Sequence, residues 1–458
     1  MSAKIGLEIH GYLAMRKSKQ KLFCRCKIDS DAEPNTTVCP RCTGQPGAKA
    51  MLANPEAVEK VITCALMLDC TLNRKLILQR KHYDWPDLPK GYQMTLSGTY
   101  SHPIGEKGKY LGIGITECHL EEDPARWDPV TGLVDYNRSG YPLIEIVTDP
   151  DFTCSEQVKL WLESMMTTLS YIKAVDKSMG IKCDVNVSTD YHPRVEIKNI
   201  NSIKAIVIAI EGEIKRQMEA VANHEHIFSH TRSPPDEHGR TNFMRSKETA
   251  LDYMFIPEPD LPVIHIQDSI VEATQKLLPE KPHQKIKKYV EKMKLNPIDA
   301  KILAGDLALA DLFEKLVKEI DPLLAAKWLR HELLKILNES ERSLHDVAID
   351  EKYVVELLTM VVKKEVTDQT ASEILEKLTR ESFSPQEYVS KHGLGMISAV
   401  NELDAFAEKV IKENPQAIKD YLAGEEKALN FLMGKVMALS KGKAKADTVI
   451  ALLKKKIK

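Results

Sequence analysis

The chain has 458 residues, 64 Lys and Arg against 66 Asp and Glu, and a formal net charge of −2. That length suits two to four domains, and a 43% hydrophobic, 28% charged composition is that of a soluble globular protein. No apolar run approaches the roughly 20 residues of a membrane helix, and no membrane partner is expected.

A strand is expected at Ile5-Gly6-Leu7-Glu8-Ile9-His10, almost at once, and on that reading no secretory signal or transit peptide is expected. Four cysteines follow, Cys24 and Cys26, then Cys39 and Cys42. Two close pairs on two turns suit a tetrahedral four-thiolate Zn²⁺ site, closed and therefore structural. Two disulfides or four separate thiols are the other readings. The other five of the nine cysteines (Cys64, Cys70, Cys118, Cys154, Cys183) are scattered, which fits a reducing, cytoplasmic setting.

Helical spacing over Pro55–Leu68, with Asn54 as N-cap, predicts a helix. The β-branched runs Tyr110–Ile115 and Pro142–Val147 read as strands. Ser155–Ile172 and Ser202–Val221 read as helices, and 224–262 as loop and connector packing back on the first domain. From Lys281 the pattern is helical, with apolar periodicity over Leu307–Ile320, Pro322–Leu337, Lys352–Val362 and Ala371–Leu378. The expected architecture is an α+β N-terminal domain (1–270, including a zinc loop at 24–42), an all-α helical domain (271–392) and a small α-helical tail (393–458).

Glu8 and His10 share one face of their strand. His119-Leu120-Glu121-Glu122-Asp123 forms a second acidic group, and Glu145 sits in an otherwise apolar run. A carboxylate there needs a partner or a metal. The group offers the hard oxygens Mg²⁺ prefers, although salt bridges with Lys or Arg would also satisfy it. Arg80–Gln93, rich in Pro and aromatics, is neither a regular core helix nor a central strand; it reads as a binding loop or a surface turn. Arg232, Arg245 and Lys247 are candidate phosphate clamps or solvated charges. No P-loop or protein-kinase signature is present. The C-terminal lysines, among them Lys435, Lys441, Lys443 and Lys445, suit phosphate-backbone binding or a solvated terminus.

These motifs together resemble the B-subunit family of the tRNA-dependent amidotransferases. The resemblance is carried by IGLEIH (5–10), EPNTTVCPRCTGQPG (33–47), YDWPDLPKGYQ (83–93), HLEED (119–123), LVDYNRSGYPLIEIVTDPD (133–151), CDVNVS (183–188) and EIKNINS (196–202). MRSKE (244–248), IPEPDLP (256–262) and the stretch 414–437 extend it over essentially the whole chain. It implies a cradle-shaped catalytic domain and two steps. ATP phosphorylates the side-chain carboxylate of Asp-tRNA(Asn) or Glu-tRNA(Gln). Ammonia from an amidase A subunit, assembled with a small C subunit, then displaces phosphate. It also implies Mg²⁺ near Glu8, His10, Glu121, Glu122 and Glu145, an ammonia path past Lys81 and Lys90, and tRNA binding by the tail. Met254, Ile256 and Lys182 depart from the commonest bacterial pattern and resemble archaeal members. The archaeal paralogue with a different amidase carries a large inserted domain for which this chain has no room. A zinc-stabilised tRNA-binding scaffold without chemistry is the alternative.

Overall fold

The computed structural model describes residues 3–189, 192–236, 239–246, 254–347, 349–395, 400–440, 444 and 446–457. The chain divides into two compact units, Met1–Pro282 and His283–Lys458.

The first unit opens with β1 (Ala3–Tyr12), α1 (Pro55–Met67), β2 (Thr71–Leu72), β3 (Lys75–Leu76), β4 (Gln79–His82) and β5 (Tyr92–Thr95). It continues with β6 (Gly105–Tyr110), β7 (Ile113–Glu122), β8 (Arg126–Trp127), β9 (Val134–Asp135) and β10 (Pro142–Thr148). Then come α2 (Ser155–Tyr171), β11 (Ile181–Thr189), β12 (His192–Ile200), α3 (Ile203–Ala222), β13 (His230–Arg232) and β14 (Phe243–Ser246). β15 (Met254–Pro257), β16 (Ile264–His265) and α4 (Asp268–Leu277) complete it.

Twelve strands form one sheet, whose main path runs β14-β13-β12-β11-β1-β10-β7-β5-β4-β15. Its pairs are antiparallel except β12 with β13. The two ends of this path, β14 and β15, are joined by only residues 247–253. Ten flat strands about 4.8 Å apart would span about 43 Å, whereas eight residue steps reach at most about 29 Å. The sheet must therefore curve.

Alternation along β1 sets the two faces. Ile5, Leu7 and Ile9 are buried in the main core with Ile144, Ile146, Leu120, Val185 and Val187. Each such burial contributes about 1.5–3 kcal/mol. α1 packs on β6 and β7, and α3 packs on α2 and β11, covering this apolar face. The N-caps agree with the sequence: Asn54 accepts from Glu56 N, and Ser202 from Ala205 N.

Three expectations need correction. The Tyr110–Ile115 run is not one strand. β6 ends at Tyr110 and β7 begins at Ile113, and Leu111 (φ 49°) and Gly112 (φ 85°) make the turn between them. Two consecutive left-handed residues are what a tight hairpin requires. The 224–262 stretch is not merely connector, since it supplies β13, β14 and β15 at the two edges of the sheet. These strands are only three or four residues long, too short for periodicity to reveal. Likewise Arg80–His82 lie within a strand, and the two prolines, Pro86 and Pro89, fall in the loop beyond it.

The second unit is helical, from α5 (Pro282–Glu291), α6 (Pro297–Leu303), α7 (Leu307–Leu316) and α8 (Pro322–Lys327) to α9 (Leu334–Glu339). A π-helical segment, Trp328–Leu333, links the last two. α10 (Glu351–Val362), α11 (Asp368–Leu378) and α12 (Pro385–His392) share one apolar core with these. α13 (Val400–Glu413), α14 (Pro415–Leu422), α15 (Glu426–Leu439) and α16 (Ala446–Ile457) close around a separate one. The α+β unit followed by all-helical structure matches the expected fold class.

Candidate active site and metal centres

The polar face of the sheet gathers the acids. Across three neighbouring strands, His10 on β1 stands opposite Glu145 on β10, which stands opposite His119 on β7. Glu145 Oε2 lies 3.4 Å from His10 Nε2 and 3.0 Å from His119 Nε2. Glu121, two residues beyond His119 on the same face, brings Oε1 to 3.7 Å from His10 Nε2.

Burial opposes charge on both histidines, but the Glu145 carboxylate outweighs it, and His10 is pushed up to about 10. Burial likewise opposes the charge on Glu145, and the two imidazoliums hold its carboxyl well below the usual range. Glu121 is pushed the other way, by burial and then by the Glu145 charge. Oppositely shifted neighbouring carboxyls are the kind of arrangement found at functional sites.

Glu8 belongs to a second group. Its Oε1 accepts from Asn186 Nδ2 at 2.9 Å, and it clusters with Asp184 and Glu196. Lys198 Nζ is 3.0 Å from Asp184 Oδ2 and 3.7 Å from Glu196 Oε2. Burial, then the charges of Glu145, Glu196 and Asp184, raise the Glu8 carboxyl. Asp184 and Glu196 are absent from the sequence-based site set. Their signal was the alternation of polar residues through CDVNVS and EIKNINS, which puts Asp184, Asn186, Glu196 and Lys198 on one face. In each of the two groups, His10–Glu121–Glu145 and Glu8–Asp184–Glu196, candidate ligand atoms lie within 4.8 Å of one another. Crowded carboxylates of this kind fit a hard divalent cation.

The four cysteines come together. Their sulfurs lie within 4.8 Å of one another, and Cys39 and Cys42 Sγ are 3.9 Å apart. A tetrahedron with about 2.3 Å zinc–sulfur bonds has edges of about 3.8 Å, so the set fits Zn²⁺. A hydrogen bond from the Cys24 thiol holds the Cys42 thiol down to about 4 against burial, helped by the Cys39 N–H and the Lys21 ammonium. The loop is tied to the approach to β10. Ser139 Oγ donates to Cys42 O (2.7 Å), and Thr37 N to Asn137 Oδ1 (2.9 Å). Gly44 (φ 67°) presses against Pro89, where a Cβ would meet its carbonyl oxygen at 2.2 Å. Only glycine permits that approach to the 83–91 loop.

The family described as GatB/GatE catalytic domain matches residues 3–272, and the one described as GatB domain matches 311–457. The B subunit of the aspartyl/glutamyl-tRNA(Asn/Gln) amidotransferase of Methanothermobacter thermautotrophicus is 42% identical over 99% of this chain and 100% of its own length. That of Methanopyrus kandleri is 42% identical over 99% of this chain and 98% of its own, and that of Methanocaldococcus jannaschii is 41% identical over the same shares. The chain belongs to the family of aspartyl/glutamyl-tRNA amidotransferase B subunits.

Most other sequence-predicted residues of this B-subunit chain lie away from the His10 group. Glu122, adjacent to Glu121, points to the opposite face of the sheet, where it pairs with Lys90 and accepts from Met94 N at 2.9 Å. With Arg80, Tyr92, Glu258 and Asp260, these two line a pocket beside the cysteine loop. Lys81 remains on the His10 side, where its charge acts on Glu121. Arg232 on β13 bonds Thr241 (Nε to Oγ1 and Nη2 to O, both 2.5 Å) and sits 3.1 Å from His230 Nε2. Arg245 is exposed on β14. Lys435 is exposed on α15, its ammonium 5.4 Å from the Phe431 ring centroid. Lys247, Lys441, Lys443 and Lys445 lie outside the described residues. No described helix is long and apolar enough to cross a membrane.

Proposed function

We propose that this chain is the kinase and transamidase subunit of an amidotransferase acting on Asp-tRNA(Asn), Glu-tRNA(Gln) or both. The observation that carries it is the His10–Glu145–His119 row with Glu121 beside it, on the polar face of a sheet whose other face is core. A tRNA-binding scaffold has no use for a buried carboxylate row of this kind.

His10, Glu121 and Glu145, with Glu8 beside them, would hold Mg²⁺, which when bound neutralises phosphate charge. The chain's own residues hold the reactants in line on the polar face. The side-chain carboxylate of the mischarged amino acid accepts the γ-phosphoryl group of ATP, and ammonia then displaces phosphate at the activated carbon. Shielding of this labile intermediate from water suits a curved sheet. Zn²⁺ on Cys24, Cys26, Cys39 and Cys42 braces the wall, with no open position for chemistry. Lys81 on the His10 side and Lys90 in the pocket on the opposite face are the candidate polar stations for ammonia arriving from the amidase A subunit, with the small C subunit completing a cytoplasmic complex. Arg232, Arg245 and Lys247 are the candidate nucleotide contacts. The lysines of the tail (393–458), among them Lys435, Lys441, Lys443 and Lys445, would contact the tRNA backbone.

The test is phosphate release from ATP, dependent on Asp-tRNA(Asn), in the reconstituted complex. Glu121→Ala is expected to lower it roughly 10²–10³-fold. Unchanged release would remove the acid row from the chemistry and leave the scaffold. Titration of both mischarged tRNAs in the same assay assigns the substrate.

A further inference from the structure

The row of facing residues does not end at His10. On its other side, His10 stands opposite Lys182 of β11, so the row runs Lys182–His10–Glu145–His119 over four adjacent strands. Facing residues of antiparallel strands share a face, so Lys182 is on the polar side with the acids.

The neighbouring cations of this region are already engaged. His10 and His119 are bound to Glu145. Lys198 is held by Asp184 and Glu196. Arg138 Nε lies 2.5 Å from Asp123 Oδ2, which also accepts from the Tyr12 hydroxyl at 2.9 Å. Lys182 differs. It is half-buried, and among the described residues its ammonium makes no hydrogen bond and has no carboxylate within ion-pair distance. Asp123 and Asp87 feel its charge only from further off. An ammonium with no bonded partner is open to an incoming anion. The same face carries Glu8, Glu121, Glu145, Asp184 and Glu196, which repel any anionic substrate. A free cation at the end of the row is where such a substrate gains attraction.

We infer that Lys182 is a catalytic residue whose ammonium contacts the γ-phosphoryl oxygens during transfer to the aminoacyl carboxylate. The inference rests on the kinase reading above. In the step, a substrate carboxylate oxygen forms a bond to the γ-phosphorus. The bond from that phosphorus to the bridging oxygen breaks, and its electron pair leaves with ADP. Lys182 transfers no proton. It offers charge to the three equatorial oxygens, over which the negative charge of a loose transition state is spread.

The experiment compares wild type, Lys182→Met, Lys182→Arg and Glu121→Ala in the reconstituted complex, measuring tRNA-dependent phosphate release, KM for ATP and tRNA affinity. Lys182→Met is expected to lower kcat about 10²–10³-fold, with KM and tRNA affinity close to wild type, and Lys182→Arg to restore most of the loss. If Lys182→Met does not assemble, Lys182→Gln replaces it. An unchanged kcat, or a raised KM with kcat intact, overturns the role of Lys182 while an impaired Glu121→Ala keeps the kinase reading. Equal release by wild type and Glu121→Ala overturns both.

Discussion

Lys21 shows what a single residue does for the cysteine cluster. It is 1% exposed, with Nζ 3.5 Å from Cys42 Sγ and 3.3 Å from the Tyr136 carbonyl oxygen. A buried ammonium needs a negative partner, and a four-thiolate metal site carries two net negative charges to offer it. Lys21 ties Cys42 to the 136–141 loop, and with zinc bound it would compensate this charge as a positioning residue. Lys21→Met is expected to weaken zinc retention roughly 10–100-fold, as loss of a residue supporting metal ligands commonly does. A chromophoric chelator competing for the metal measures this, and Lys21→Arg is expected to recover most of the affinity. Zinc loss at the wild-type rate in Lys21→Met would show the ammonium to be a packing element only. The sequence displayed the four cysteines but not Lys21, because nothing local marks a lysine as buried. Its partner Tyr136 is 115 residues away. The acids were legible for the opposite reason: His10, Glu121 and Glu145, and Glu8 of the second group, sit in motifs with strand alternation. The same alternation separates Glu121 from Glu122, a distinction that grouping by motif does not make.

Helices α5 and α7 are joined mainly through Glu314, with Asp311 Oδ1 also 3.7 Å from Lys285 Nζ. Glu314 accepts from Lys285 Nζ (2.8 Å), Lys288 Nζ (3.0 Å) and the Tyr289 hydroxyl (3.1 Å), and the Lys285 side chain is only 4% exposed. Burial works against the Glu314 charge, but the bonds from Lys285 and Lys288 prevail and lower its pKa. A carboxyl lowered on folding adds stability that is present above the ordinary carboxylate pKa of about 4.3 and is lost as pH falls through the folded value. Glu314→Gln is therefore expected to cost about 1–3 kcal/mol of local stability at neutral pH. Hydrogen exchange of the α5 and α7 amides is the readout. The gap between wild type and variant should close on acidification below about pH 4. A gap independent of pH would show that packing, not charge, holds the pair. The helices themselves were legible. Capping and 3.6-residue periodicity placed α1, α2, α3 and α10 to within a few residues. The short edge strands β13, β14 and β15 were not, because their pairing comes from distant segments such as β12 and β4.

At the scale of the whole chain, the apolar residues fall into separate clusters. The sheet unit has its own core. In the second unit, α5 to α12 surround Phe313, Leu329 and Leu357, while α13 to α16 surround Leu403, Leu432, Val436 and Val449. Removing residues from 396 onward deletes the last cluster whole and leaves the buried residues of the other two intact. The shortened chain is therefore expected to fold and to keep the acid row. In the deleted part, Lys409, Lys412, Lys419, Lys427, Lys435, Lys454 and Lys455 are exposed, while Lys456 is held by Asp404 and Glu408. Lys435, Lys454 and Lys455 are taken as the contacting set. If these lysines contact tRNA phosphates, each contact contributes about 0.7–0.9 to the slope of log affinity against log salt. Truncation should raise KM for mischarged tRNA at physiological salt and flatten its salt dependence by about 2–3 units of slope. The kcat for phosphate release should change little, because the residues proposed to carry the reaction lie on the sheet. KM and salt slope matching the full chain would place the tRNA backbone contacts elsewhere. A lost kcat with unchanged tRNA affinity would make the tail part of the catalytic machinery.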